Sequence, residues 1–102
     1  MKLVLVCYSG SSASILRDRM LAWARANLLD VEIIVSSLAG LDEDKEDADI
    51  VLVGPQVRCA LASVRERVPE RIPVMAVDTR DYGMAKGDRV MQAALDEIRQ
   101  YK

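Results

Sequence analysis

Cys7 follows the apolar run Leu3-Val-Leu-Val6 and precedes the small, hydroxyl-rich stretch Tyr8-Ser-Gly-Ser-Ser-Ala-Ser14, after which a helical pattern begins. A strand that ends on a cysteine and turns into a helix presents unpaired backbone N–H groups and the positive end of a helix dipole, which favour a thiolate or a bound anion. A free cysteine, with pKa near 8.5, is only a few per cent thiolate at neutral pH, and a helix amino terminus lowers that value. The stretch from Tyr8 to Leu16 holds no carboxylate, so negative charge there meets no local repulsion; the first acid is Asp18. Gly10 allows close backbone approach, Ser9, Ser11, Ser12 and Ser14 offer hydroxyls, and Arg17 can bring positive charge to the edge. Free cysteine is also among the most buried residue types, so composition leaves a reactive Cys7 and an inert one equally open. Cys59 lies on the opposite face of its segment from the apolar stripe and is assigned no chemistry.

Missing residues narrow the chemistry. The chain has no histidine, which removes a Cys-His pair and a histidine base, and makes a structural zinc site improbable. A tyrosine-phosphatase loop needs Cys-x5-Arg so that the guanidinium clamps the phosphate, but the sixth position after Cys7 is Ala13. Neither the Walker phosphate loop nor a Cys-x-x-Cys pair is present. What remains is a cysteine able to hold a phosphoryl group without the groups that hydrolyse it quickly, a property suited to a relay.

At 102 residues, 51% of them apolar and 29% charged, the chain is expected to form one domain over residues 1–102. A net charge of −2 argues against nucleic-acid binding. The first apolar run is too short for a signal peptide, and no run is long enough to span a membrane. Two cysteines make no disulfide framework, which fits a reducing cytoplasm. Residues 41–49 carry six acids and one lysine without the spacing or glycine of a calcium loop, and are read as a solvated connector or short helix.

The elements that must position Cys7 follow from periodicity. Leu3–Val6, Val31–Val35, Ile50–Val53 and Val74–Val77 are short, near-continuous apolar runs that suit parallel strands covered on both faces. Between them, helical stripes run through Leu16, Met20, Trp23 and Ala24, then Val57, Leu61, Val64 and Val68, then Met91, Ala94, Leu95, Ile98 and Tyr101. The alternation predicts an α/β fold with right-handed crossovers and four parallel strands in the order 2-1-3-4. Its ligand site is expected at the carboxyl ends of the strands, beside the switch point at strand 1.

Three ordered motifs resemble the IIB component of the bacterial sugar phosphotransferase system, lactose/cellobiose/chitobiose type. Cys7, Gly10, Ser12 and Ser14 match the pattern Cys-x-x-Gly-x-Ser-x-Ser; Ala48-Asp-Ile-Val-Leu-Val-Gly-Pro-Gln56 is similar to the family's third strand and turn; Val77-Asp-Thr-Arg-Asp-Tyr-Gly83, followed by Gly87, is similar to the segment after its fourth strand. The resemblance implies a three-layer sandwich like that of low-molecular-weight phosphatases. It implies that Cys7 takes a phosphoryl group from the phosphohistidine of a IIA partner and passes it to a disaccharide of the cellobiose, chitobiose or lactose kind held by a membrane IIC permease. The phosphate would rest on backbone N–H groups of Tyr8, Ser9, Gly10, Ser11, Ser12, Ala13 and Ser14, with no metal and no cofactor. Gln56, Asp78 and Tyr82 are candidates to contact it or to order neighbouring loops. Departures are Ala13, where the family often has a hydroxyl, and the unusual Tyr8 and Ser11. Two other readings stay open, a cysteine phosphatase or arsenate reductase, and a non-catalytic interaction domain with an inert Cys7.

Overall fold

A computed structural model describes residues 1–7, 10–41 and 47–101, with the side chains of residues 10–12 outside that description. Four strands, β1 (Lys2–Cys7), β2 (Glu32–Ser37), β3 (Ile50–Val53) and β4 (Val74–Ala76), form one sheet in the order β2-β1-β3-β4. Every pairing is parallel, with Cys7 opposite Ser37 and Val6 opposite Val53. The order and direction are those expected from the apolar runs. β2 starts and ends later than expected, and β4 ends at Ala76, although the Val77 amide still donates to the Val53 carbonyl at 2.8 Å.

Side chains alternate across a strand, so β1 and β3 supply two cores at once. Leu3, Leu5, Cys7, Ile50 and Leu52 face one layer, with Ala13, Leu16, Met20 and Ala24 of α1 (Gly10–Ala26) and Val90, Met91 and Ala94 of the last helix. Val4, Val6, Val51 and Val53 face the other, with Val57, Val64 and Val68. The result is the expected three-layer sandwich. Trp23, Leu61 and Ile98 pack at the margins of these cores.

The segment after Gly54 departs from the single helix that its spacing predicts. It is a 3₁₀ turn over Pro55–Ala60, with non-helical angles at Val57, followed by α2 (Leu61–Arg67). The proline removes an amide donor at its first position, and Val57 must point into the core, so the chain tightens before an α-helix begins. α3 (Thr79–Gly83) and α4 (Gly87–Gln100) complete the chain. Tyr101, expected on the last apolar stripe, lies beyond α4, half out of the core, and its hydroxyl donates to the Glu70 carbonyl.

Two backbone features decide packing. A Cβ on Gly87 would lie 2.5 Å from the Arg19 carbonyl carbon and 2.6 Å from the Met20 nitrogen, so α1 and α4 cross at glycine because nothing larger fits. At the end of α1, the Leu29 amide donates to Ala24 and the Leu28 amide to Arg25, with Leu28 at φ 58°. That is a Schellman close, built on a leucine where glycine is preferred.

Candidate functional site

Cys7 ends β1 at the point where the strand order reverses, flanked by β2 on one side and β3 on the other. Loops diverge from such a point and leave a crevice. Here the crevice has a volume of about 330 Å³ and is lined by Cys7, Ser37, Leu38, Ala39 and Val57. α1 begins at Gly10, three residues beyond the sulfur, with no acid in its first turn, so its positive end is close to Cys7 in the chain.

The walls of the crevice are tied in place. The Ser36 hydroxyl donates to the Ser37 carbonyl at 3.1 Å, and the Gly40 amide donates to Ser37 Oγ at 3.1 Å. Arg67, at the end of α2, reaches across 29 residues of sequence and donates from Nη2 to the Leu38 carbonyl at 2.8 Å. On the other side, the Gly54 amide donates to the Val6 carbonyl at 2.9 Å. A Cβ on Gly54 would stand 2.9 Å from Gln56 Oε1, 3.2 Å from that Val6 oxygen and 3.4 Å from the Tyr82 ring. Three segments therefore converge on the peptide just before Cys7, and a side chain at position 54 would wedge them apart.

Composition leaves a reactive Cys7 and a buried one equally open, and the sulfur is buried. Cys7 is only 2% exposed, and burial pushes its thiol above the ordinary value. Low dielectric around the sulfur disfavours charge. Cys7 is thus shielded, whereas Cys59 is exposed.

The remaining sequence candidates separate. Tyr8 and Ser9 lie outside the described residues, as do the side chains of Gly10, Ser11 and Ser12. Ala13 is fully buried in the core cluster that contains Cys7, so only its backbone is a candidate for an anion. That burial also explains why position 13 carries no clamp arginine, because its side chain points into the core. Ser14 is half-buried. Arg17 turns to its neighbour Asp18, with Nη2 3.4 Å from Oδ1.

Tyr82 is buried in the same cluster as Cys7, while Gln56 is exposed with its side-chain oxygen beside Gly54. Asp78 is the cap of α3: its Oδ1 accepts from the amides of Arg80 at 2.9 Å and Asp81 at 3.1 Å. The Asp81 bond above all, then that from Arg80 and the nearby charges of Arg58 and Arg80, holds its carboxyl below the usual range against some desolvation. Its oxygen is thereby committed to the backbone. Among the described residues no group of three acids or cysteines can hold a metal, and no helix is long and apolar enough to cross a membrane.

Sequence reasoning missed Ser37, Leu38, Ala39, Val57 and Arg67. The first three were within reach of it, since the strand order 2-1-3-4 puts the end of strand 2 beside Cys7. Arg67 carried no such signal.

Comparison with known proteins bears on the family and the fold. A family model described as "PTS system, Lactose/Cellobiose specific IIB subunit" matches residues 2–93. A galactose-specific EIIB component from Lactococcus lactis subsp. cremoris and a cellobiose-specific one from L. lactis subsp. lactis are each 33% identical, over 90% of this chain and 91% of theirs. An oligo-beta-mannoside-specific EIIB component from Bacillus subtilis is 33% identical over 92% of both chains. In structure, the cellobiose-specific IIB component from Borrelia burgdorferi superposes with a TM-score of 0.83 at 29% identity, covering 100% of this chain and 94% of that one. The lactose-specific IIB domain from Streptococcus pneumoniae shares the fold, with a TM-score of 0.78 at 17% identity over 95% and 96% of the two chains.

Proposed function

Because this chain belongs to the lactose/cellobiose-specific IIB subunits of the sugar phosphotransferase system, we propose that it is a cytoplasmic phosphoryl carrier with Cys7 as the group that is phosphorylated. The observation that carries the reading is the position of Cys7: it ends β1 at the switch point, opens on a crevice, and stands three residues before a helix amino terminus. That terminus supplies N–H donors to an anion without a metal.

In the first step the Cys7 sulfur attacks the phosphorus of a phosphohistidine on a IIA protein. The S–P bond forms as the N–P bond breaks, and the thiol proton passes to the imidazole nitrogen that leaves. A thiol whose ionisation burial disfavours is compatible with this step, because the departing imidazole is itself the base. In the second step a sugar hydroxyl held by the IIC permease attacks the same phosphorus, the S–P bond breaks, and the thiol is restored with the hydroxyl proton. Both steps require in-line placement and stabilisation of spread negative charge more than covalent help from the protein. That stabilisation is assigned to backbone N–H groups of residues 8–14, at and before the start of α1. A low dielectric around the sulfur and the apolar sides of Leu38, Ala39 and Val57 keep water away from the phosphocysteine between the two steps. The substrate class is a disaccharide of the cellobiose, chitobiose or lactose kind.

The test is incubation with phosphoenolpyruvate, the general phosphotransferase proteins and a cognate IIA, followed by intact mass. One phosphoryl group is expected on the wild type and on Cys59→Ser, and none on Cys7→Ala. An adduct that persists in Cys7→Ala overturns the assignment.

A further inference from the structure

Among the described residues, two grooves at opposite ends of the sheet differ in charge. At the amino ends of the strands, a groove is lined by Asp30, Glu32, Asp47 and Asp49, against Lys2 and the amino terminus. At the carboxyl ends, a groove of about 740 Å³ is lined by Arg80, Lys86, Arg89 and Met84, with Asp78 and Asp81. Asp81 is paired to Arg89 at 3.0 Å, and Asp78 is spent on capping α3. The side chains of Arg80 and Lys86 are exposed and make no hydrogen bond or ion pair among the described residues. Arg58 adds a further exposed cation close enough to Asp78 to lower its pKa.

Part of this groove reaches the neighbourhood of Cys7, because the Tyr82 ring lies against Gly54, whose amide is bonded to the Val6 carbonyl. Arg58 follows Val57, which lines the crevice. Tyr82 packs in the cluster of Cys7 from the same short helix whose Arg80 and Asp81 line the groove. Met84 stands 56% exposed between the cations, and exposed methionine beside arginine is the mixture that protein interfaces use.

We infer that the groove formed by Arg80, Lys86 and Met84, with Arg58 at its edge, docks an acidic protein surface on the phosphoryl donor and turns that donor toward Cys7. The inference rests on the carrier reading and adds to it the chemistry of the partner's surface. Net charge cannot supply the attraction, because the chain as a whole is negative at −2. The separation of the two grooves can. A six-residue strand spans about 20 Å, well beyond the Debye length of about 8 Å at physiological salt. An acidic partner near the carboxyl ends therefore feels the cations and is screened from the far carboxylates, while one approaching the other end is repelled. Such complementarity sets orientation and encounter rate more than final affinity.

The test uses the full chain and an unphosphorylated cognate IIA protein, with binding followed by calorimetry at about 50 mM and about 500 mM salt. The double variant Arg80→Gln/Lys86→Gln is expected to bind about tenfold more weakly at low salt, with the difference shrinking to about twofold at high salt. Arg71→Gln makes a like change of charge on an exposed residue before β4, at the opposite end, and is expected to bind as the wild type does. Thermal melts of all three confirm that they fold. IIA that binds the double variant as tightly as the wild type, that is weakened equally by Arg71→Gln, or that does not bind at all overturns the docking surface. Salt-sensitive binding lost in the double variant supports it even if Cys7 then takes no phosphoryl group, a result that would overturn the carrier reading alone.

Discussion

Replacing Gly87 by alanine tests the claim that the crossing of α1 and α4 holds the site. The added methyl would sit 2.5 Å from the Arg19 carbonyl carbon, 2.6 Å from the Met20 nitrogen and 2.8 Å from Arg19 Cβ. Two of the three are backbone atoms of a helix, so no rotamer change makes room and the helices must separate. Overpacking of this kind costs about 1–3 kcal/mol, and rigid neighbours place Gly87→Ala toward the upper end. Against this stands about 0.4–1 kcal/mol from the reduced freedom of the unfolded chain. The net expectation is a loss of about 2 kcal/mol, on the order of a thirtyfold change in the folding equilibrium. In urea the midpoint should fall by about 1–2 M at an unchanged slope. Phosphoryl uptake should slow as well, because α1 begins beside Cys7 and is the helix that must move. A midpoint equal to that of the wild type would refute the reasoning, since it would mean that the helices are not in backbone contact at position 87.

The other predictions concern the thiol, the caps and the crevice wall. Burial and a raised pKa predict that iodoacetamide labels exposed Cys59 well before Cys7 at neutral pH, and that Cys7 labelling is still climbing with pH beyond the point at which an ordinary thiol levels off; peptide mass analysis reads both, and faster labelling of Cys7 would contradict its burial. Arg67→Met removes the bond to the Leu38 carbonyl, and at this half-buried site should cost about 1 kcal/mol. It should also loosen the wall, so that Cys7 alkylates faster; an unchanged rate would show that Leu38 is held by other contacts. Asp78 has its folded pKa below the ordinary 3.8, so as the pH falls the unfolded chain takes up its proton first. Its stabilisation is whole above 3.8 and lost as the pH falls through the folded value. The stability gap between wild type and Asp78→Ala, measured by urea unfolding, should therefore narrow below pH 3.8, and a gap independent of pH would count against the cap. Leu28→Gly should stabilise the chain by about 1 kcal/mol, because Leu28 holds φ 58° while 93% exposed; a lower melting temperature would refute this.

The crevice shows where sequence reasoning succeeds and where it stops. Strand order placed Cys7 at the switch point, because continuous valine-rich runs alternating with helical stripes leave few topologies to choose from. The helix expected after Gly54-Pro55 was half right. Proline and an inward Val57 force a 3₁₀ turn that local periodicity does not register. Asp78 read as a candidate phosphate contact because it sits at a strand end, yet its side chain is used by two amides within three residues. Gly54, by contrast, is recognisable only as part of a motif until its neighbours are known. Its φ of −67° is open to any residue, so the need for glycine comes from the convergence of Val6, Gln56 and Tyr82 rather than from the backbone.

By itself, the sequence determined the architecture, the family and the cysteine proposed as the phosphoryl carrier, since these depend on residue types in order: period-two and helical patterning, a cysteine before a small-residue loop, and motifs at fixed intervals. Tertiary structure alone decided the state of that cysteine and the shape around it. Solvation is a property of what other segments place nearby. Leu38 and Val57, distant in the chain, meet at one strand end and line one crevice with Cys7, whose burial pushes its thiol above the ordinary value. The difference in charge between the two grooves was hidden for the same reason. A net charge is additive along a chain, but a field depends on where folding puts each charge.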